Sequence, residues 1–326
     1  YDRERSEQKT FVVNELFSIF RKLYGAVPES MGPMFEQYFR NATLLVMEDP
    51  ESGNTLLEIE RVLADKAFRD YKLSRSKNIV VDTFWRQIAE KAGGEASLQN
   101  MVPYVVSKFD TFLANDIMRP IIAQEKSAFN VREAMDNKKI LLLNLSKGRL
   151  GELNSSLLGL IMVGKILMAA LSRISMPEGE RKDFYLYIDE FQNVTTKSIA
   201  TILSEARKYK LDMIITHQFI GQLEEDIKKA VFGNVGSICA FRIGSDDAEY
   251  MEKQFEPVFN AHDLLNIDNR NAYLKLLVDG QTSKPFNIKT IAPESGNPQM
   301  AEYIKQLSRS KFGRPRDEVE EEIKLA

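Results

Sequence analysis

Asp189 and Glu190 stand side by side at the end of the apolar run Phe184-Tyr185-Leu186-Tyr187-Ile188. A short continuous apolar run suits a strand covered on both faces, and open α/β sheets bind ligands beyond the carboxyl ends of their strands. Both acids are thereby placed at a functional edge. In a Walker B element the Asp orders the shell of a Mg²⁺ ion and the Glu polarises an attacking water. The same residues also suit a plain strand running into a helix N-terminus, where acids are favoured by the dipole. The motif alone leaves both readings open.

Three further polar residues fall where such chemistry could use them. Lys197–Tyr209 has helical spacing, with Ile199, Ile202, Leu203 and Ala206 on one face and Arg207 pointing off it. The run Leu211–Thr216 follows as a second strand and ends in Thr216-His217-Gln218. A polar amide beside a Walker B acid can sense a γ-phosphate, so Gln218 is a candidate. Arg242 closes the run Ser237–Ile243. It is a second candidate for phosphate sensing, or a salt-bridge partner of Asp246 or Asp247. Each feature taken singly is weak, since a basic residue near a helix C-terminus is ordinary dipole complementation.

The elements that must position these residues change in character along the chain. Residues 4–135 read as helices. Thr10–Tyr24 carries Phe11, Val12, Leu16, Ile19, Phe20 and Leu23 at helical spacing, and Met34–Met47, Thr55–Tyr71, Asp82–Lys91 and Gln99–Leu113 repeat the pattern. Breaks fall at Pro28-Glu29-Ser30, Asp49-Pro50 and Gly93-Gly94. From about residue 137, four short apolar runs alternate with helical stretches: Lys139–Leu145, Phe184–Ile188, Leu211–Thr216 and Ser237–Ile243, separated by Asn154–Ile174, Lys197–Tyr209 and Leu223–Phe232. That alternation predicts an α/β fold with a mostly parallel sheet flanked by helices. Ala272–Val278 and Pro285–Ile291 read as a hairpin around Asp279-Gly280, and the polar end from Pro293, with its charge run Asp317–Lys324, reads as a solvated tail or exposed helix.

Composition narrows the class. The 326 residues are 44% hydrophobic and 28% charged, as in a folded globular chain. A net charge of -3 advertises no global affinity for nucleic acid, so any DNA contact must use a local pore or groove. The single Cys239 excludes an internal disulfide framework and is expected as an inert buried thiol in a reducing setting. His217 and His262 show no zinc-ligand spacing. Trp85 is expected in a helical core, and Arg69–Lys77 as a solvated helix end rather than a DNA contact. Ser155–Leu171 is apolar enough to raise a membrane span, but Lys165 falls near its middle, so a core helix is expected.

The series Tyr187–Val194 (YIDEFQNV), Ser204–Leu211 (SEARKYKL), Ile214–Gln218 (IITHQ), Asn234–Met251 (NVGSICAFRIGSDDAEYM) and Asn144–Glu152 (NLSKGRLGE) resembles the HerA–FtsK superfamily of ATPases. Within it the series most resembles the coupling proteins of type IV secretion and conjugation, the TraG/TraD-like ATPases. The resemblance covers roughly residues 137–290. It implies a RecA-like motor core over 137–292, an N-terminal all-α domain over 1–136 inserted between the two Walker elements, and a polar tail over 293–326. It casts Asp189 as the Mg²⁺-ordering acid, Glu190 as the catalytic glutamate, Gln218 as the coupling residue and Arg207 as an arginine finger given in trans. Arg242 is the second phosphate-sensing candidate. The implied cofactors are ATP and Mg²⁺. The implied partners are single- or double-stranded DNA, further copies of the chain in a hexameric ring, other type IV secretion components and substrate proteins. The implied location is the cytoplasmic side of the inner membrane, through an N-terminal anchor.

One departure matters. No stretch matches G-x-x-x-x-G-K-[ST], the loop whose backbone and Lys cradle the phosphates. In the family that loop lies upstream of the all-α insertion, so the sequence is expected to be part of a longer protein and to hydrolyse no ATP alone. Two other readings stay open: a HerA- or FtsK-like motor of DNA processing without a membrane anchor, and a non-catalytic docking module whose helical domain recruits substrate proteins.

Overall fold

The computed structural model describes residues 3–25, 31–89, 94–197, 199, 203 and 205–325. Pro28-Glu29-Ser30, Gly93, Ile202 and Ser204, on which the breaks and the helix before the run Leu211–Thr216 were expected, lie outside them. The chain divides into two compact units, one of Tyr1–Val131, Ile140–Gly164 and Lys305–Ala326, the other of Arg132–Lys139 and Lys165–Ile304.

The first unit is helical. Helices α1 (Arg3–Tyr24), α2 (Pro33–Glu48), α3 (Leu56–Ala64), α4 (Lys66–Arg75), α5 (Ile79–Thr83), α6 (Gly94–Leu113) and α7 (Arg119–Ile122) follow the sequence pattern closely. Local chemistry sets the boundaries. Thr55 and Glu58 form a capping box at the start of α3, and the Asp65 carboxylate accepts from Ala67 N and Phe68 N, which splits the expected helix Thr55–Tyr71 into α3 and α4. After α5 the backbone widens into a π-helical stretch at Phe84–Ala89. The core is aromatic: Phe20, Phe39, Phe109 and Phe112 are fully buried, with Phe20 and Phe109 rings 4.7 Å apart and Phe39 and Phe109 stacked at 5.7 Å. Trp85 is buried in this unit, as its helical context predicts.

Arg69 and Lys72 depart from expectation. Both are fully buried rather than solvated. The Lys72 ammonium donates to the carbonyls of Asp49 (2.6 Å) and Gly53 (2.7 Å) and, at 3.5 Å, of Val46. It satisfies carbonyls at the C-terminus of α2 and in the loop after it, where a cation is also favoured by the helix dipole. Burial lowers the Lys72 pKa, and Asp49 and Glu58 oppose that shift.

Helices α8 (Val131–Asp136) and α9 (Lys147–Leu150) flank the run Lys139–Leu145, which forms no strand. Ile140 is 89% and Leu142 78% exposed. The apolar pattern is that of a covered strand, but no strand pairs with it among the described residues, and a strand exists only as part of a ladder. Helix α10 (Glu152–Leu171) then meets the expectation of a core helix in part. By length and composition its extension to Ser175 is apolar enough to cross a membrane, and 56% of its most apolar window is buried in the structure.

In the second unit, β1 (Phe184–Ile188) pairs in parallel with β2 (Leu211–Ile215), Phe184 opposite Leu211 and Ile188 opposite Ile215. Helix α11 (Glu225–Asn234) follows. The expected strand Ser237–Ile243 shortens to β3 (Ile238–Ala240). Among the described residues it joins no parallel partner, and it pairs antiparallel with β4 (Asn271–Lys275), after α12 (Ser245–Phe255) and α13 (Ala261–Leu265). β5 (Leu277–Val278) and β6 (Gln281–Thr282) close the expected hairpin, with Asp279 (φ 51°) and Gly280 (φ 78°) both left-handed at its turn, as a two-residue type I′ turn requires. β7 (Phe286–Lys289) pairs antiparallel with β4. Cys239 on β3 is exposed, against the expectation of a buried thiol, because Ile238 and Ala240 take the inward positions. The polar end is helical, as α14 (Pro298–Phe312) and α15 (Arg316–Leu325).

Candidate active site at the ends of two parallel strands

One buried cation sets the opposite, entry edge of the β1–β2 pair. The Arg173 side chain is wholly buried. Its guanidinium donates to the carbonyls of Lys182 and Tyr209, each at 2.9 Å, and to Asp136 Oδ1 at 3.1 Å. Lys182 precedes β1 and Tyr209 precedes β2, so one side chain levels the starts of both strands. Lys210, left-handed at φ 56°, turns the chain into β2, and its carbonyl accepts from Phe184 N at 2.9 Å. With the starts aligned, the parallel register brings Asp189 and Thr216 level at the carboxyl edge.

There the two strand ends interlock. Thr216 N donates to Ile188 O and Phe191 N to Thr216 O, both at 2.9 Å, extending the ladder past β1 and β2. Thr216 Oγ1 donates to Asp189 Oδ1 at 2.6 Å, and Glu190 N donates to the same oxygen at 3.0 Å. Asp189 is exposed, and both of these bonds fall on Oδ1, so among the described residues Oδ2 receives no hydrogen bond. Glu190 is left-handed at φ 51°, an uncommon conformation for a residue with a side chain. Its carboxylate receives Gln218 Nε2 on Oε1 at 2.7 Å and Gln192 Nε2 on Oε2 at 2.6 Å.

Sequence reading finds Asp189, Glu190 and Gln218, and the structure brings all three together. It misses Thr216 and Gln192. Thr216 could be found from the register, since it lies level with Asp189 once β1 and β2 are parallel. Gln192 gives no signal in the sequence, because its contact depends on the left-handed turn at Glu190. Arg207 is exposed on a short 3₁₀ turn, Ala206–Tyr209, where a regular helix was expected, and no ion pair holds its guanidinium among the described residues. Arg242 is exposed and donates to Asn269 Oδ1 at 3.5 Å. The alternative salt bridge is absent: Asp247 instead accepts from Ile220 N at 3.1 and 3.2 Å, tying the loop after β2 to the start of α12. His217, between Thr216 and Gln218, has its Nδ1 buried without a partner. Burial lowers its pKa and the charge of Asp247 opposes that shift.

The donor set fits half of a nucleotide site. Two adjacent carboxylates with one outward oxygen suit Mg²⁺, which keeps several waters and takes one or two carboxylates together with substrate phosphates. No group of three or more metal-ligating side chains occurs among the described residues, so no closed metal cage competes with that arrangement. A phosphate-cradling loop is not in the sequence.

No protein-family profile matches the chain, and no curated protein matches it. Solved structures do. The bacterial conjugative coupling protein TrwBdeltaN70, in an unbound monoclinic form, superposes with a TM-score of 0.56 at 16% identity, over 86% of this chain and 69% of that one. The plasmid coupling protein TrwB in complex with ADP and Mg²⁺ gives 0.57 at 16%, over 87% and 70%. TrwB with the non-hydrolysable GTP analogue GDPNP gives 0.55 at 16%, over 86% and 70%. The chain therefore has the fold of the conjugative coupling protein TrwB, a parallel-sheet α/β arrangement with an N-terminal helical region. This is the fold that the motif resemblance implies.

Proposed function

We propose that the chain is the greater part of an ATP-driven DNA translocase of the type IV secretion coupling class, working as a ring with nucleotide at subunit interfaces. The observation that carries the reading is the bond from Gln218 to Glu190 across the ends of β1 and β2. It joins a water-activating acid to a residue of the next strand, so a change at one strand end is felt at the other. Asp189 would hold Mg²⁺ through its outward oxygen, and bound Mg²⁺-ATP would supply the phosphoryl group to be transferred. Glu190 would orient and polarise a water. Arg207, exposed and unpaired by any described acid, suits a finger offered to a neighbouring copy, and Arg242 suits a contact to phosphate. On this reading the domain would work on the cytoplasmic side of the inner membrane, with DNA, secretion components and substrate proteins as partners.

Among the described residues β1 and β2 pair only with each other, which suits a sheet completed by a further segment carrying the phosphate loop. The test is DNA-stimulated ATP hydrolysis by the full-length protein, with Glu190→Gln and the 326-residue chain as controls. Activity lost in both controls supports the motor. No activity in the full-length protein, whatever the DNA, sinks it and leaves the docking module.

A further inference from the structure

We propose that Gln192 is a positioning residue for Glu190, the fixed half of a two-amide grip of which Gln218 is the exchangeable half. The inference rests on the motor reading for its consequence, but its geometry stands apart from it. A carboxylate that activates water must keep one lone pair aimed at that water while the rest of the group is held still. Glu190 has one amide donor on each oxygen, Gln218 on Oε1 and Gln192 on Oε2.

The two amides differ in where they come from. Gln192 belongs to the same 3₁₀ turn as Glu190, Phe191–Asn193, closed by Asn193 N to Glu190 O at 2.9 Å and Val194 N to Phe191 O at 3.1 Å. Phe191 is fully buried and Gln192 is 9% exposed, so the turn is anchored in the interior. Gln218 is exposed and arrives from the loop after β2. If that loop moves, the Gln218 bond is lost and the Gln192 bond travels with Glu190.

The orientation of the Gln192 amide is settled by its partner. An ionised carboxylate only accepts, so the nitrogen must face Glu190 and the oxygen must face away. That oxygen, Oε1, is buried with no partner. A Gln serving only to fill space would give way to an apolar residue without leaving a buried acceptor unsatisfied. The left-handed Glu190 adds to the argument. Such a conformation persists where the surroundings over-determine it, and the Gln192 bond is one of its restraints.

The test has two arms. In the full-length protein, Gln192→Leu and the unbranched Gln192→Met should each lower kcat for ATP about 10- to 100-fold and leave KM within about twofold, the split expected when transition-state orientation is lost and binding is kept. A raised KM with kcat unchanged would overturn the proposal. In the 326-residue chain, thermal melts of Gln192→Met, Glu190→Gln and the double variant form a cycle. Non-additive Tm shifts support the grip, and additive shifts overturn it. If wild-type protein hydrolyses no ATP, the motor reading fails while the melting cycle still decides whether Gln192 holds Glu190.

Discussion

The helical unit and the strand-end site solve opposite problems with the same kinds of residue. In the helical unit the buried Lys72 ammonium is saturated, reaching three carbonyls inside a core closed by the rings of Phe20, Phe39, Phe109 and Phe112, although Asp82 Oδ1 and Asn154 Oδ1 are buried there without partners. At the strand ends polarity is left over. Gln192 Oε1, Asn193 Nδ2 and His217 Nδ1 are buried without partners, Glu190 sits left-handed, and the Asp189 carboxylate opens outward. Saturated bonding specifies a shape. Unsaturated bonding at one edge keeps capacity for something that arrives, at a cost of roughly 1–3 kcal/mol for each buried orphan. Substitutions should therefore separate into those that cost stability and those that cost chemistry.

The largest effect is expected on the chemical side. Arg207→Ala should lower ATP hydrolysis by the full-length protein by about 10³- to 10⁵-fold, the range for an arginine finger, with no loss of Tm because the side chain is exposed. Mixing Arg207→Ala with Glu190→Gln subunits should restore part of the rate, since some interfaces then join an intact Glu190 to an intact Arg207. Mixtures no more active than either variant would place both residues in one subunit's site and remove the trans assignment.

Next comes the helical unit. Phe20→Ala removes a ring with no exposed surface that packs 4.7 Å from Phe109 and 5.2 Å from Phe39. About 3–5 kcal/mol of stability should be lost, read as a lower denaturant midpoint. Activity per folded molecule should hold at low temperature. A Phe20→Ala protein that stays folded but loses its rate would show that the helical core and the strand ends are energetically coupled, and the division drawn above would fall.

The same contrast explains what the sequence could convey. Helix positions were legible because the signals are local: a 3.6-residue apolar period, the Thr55–Glu58 box and the Asp65 cap all lie within one turn of what they control. The Asp189-Glu190 pair and Gln218 were legible because an apolar run followed by polar residues marks a strand end. Pairing was not. Lys139–Leu145 and Ser237–Ile243 have the composition of parallel strands, but the first meets no ladder and the second takes an antiparallel partner in β4. Partner choice depends on residues far along the chain, and periodicity contains no information about it. Arg69 and Lys72 were misread for a related reason: their charge predicts solvent, and only the fold reveals the carbonyls that receive them.

A smaller effect tests the entry edge that aligns the site. Arg173→Met keeps much of the side chain's bulk but leaves the Lys182 and Tyr209 carbonyls without their shared donor. Breaking a buried charged contact by removing one partner costs about 3–5 kcal/mol, and here Arg132 remains on Asp136 at 2.5 Å, which should bring the loss toward the lower end. Because the strand starts set the register, this variant should lose stability and rate together, unlike Arg207→Ala or Phe20→Ala. Hydrogen exchange at Phe184 N and Thr216 N, the bonds at the two ends of β1–β2, should quicken in step. Faster exchange at Phe184 N alone would mean that the carboxyl edge holds its own alignment.

The smallest effect concerns the buried orphan at His217. Its folded-state pKa lies below the ordinary 6.5, chiefly because burial penalises the imidazolium, while Asp247 pulls the other way. Between the folded value and 6.5 the unfolded chain binds more protons than the folded one. Stability is therefore complete above 6.5 and is lost as pH falls through that window. Melting wild-type chain and His217→Gln from pH 7.5 down to 5 should show a steeper decline for wild type. Asp247→Asn should steepen it further, because the charge that eases protonation is gone, although the Asn keeps an oxygen to accept from Ile220 N. Identical slopes in wild type and His217→Gln would mean that the imidazole is solvated in both states. His217 would then leave the buried orphans clustered at the strand ends, and Gln192 and Asn193 would remain as that cluster.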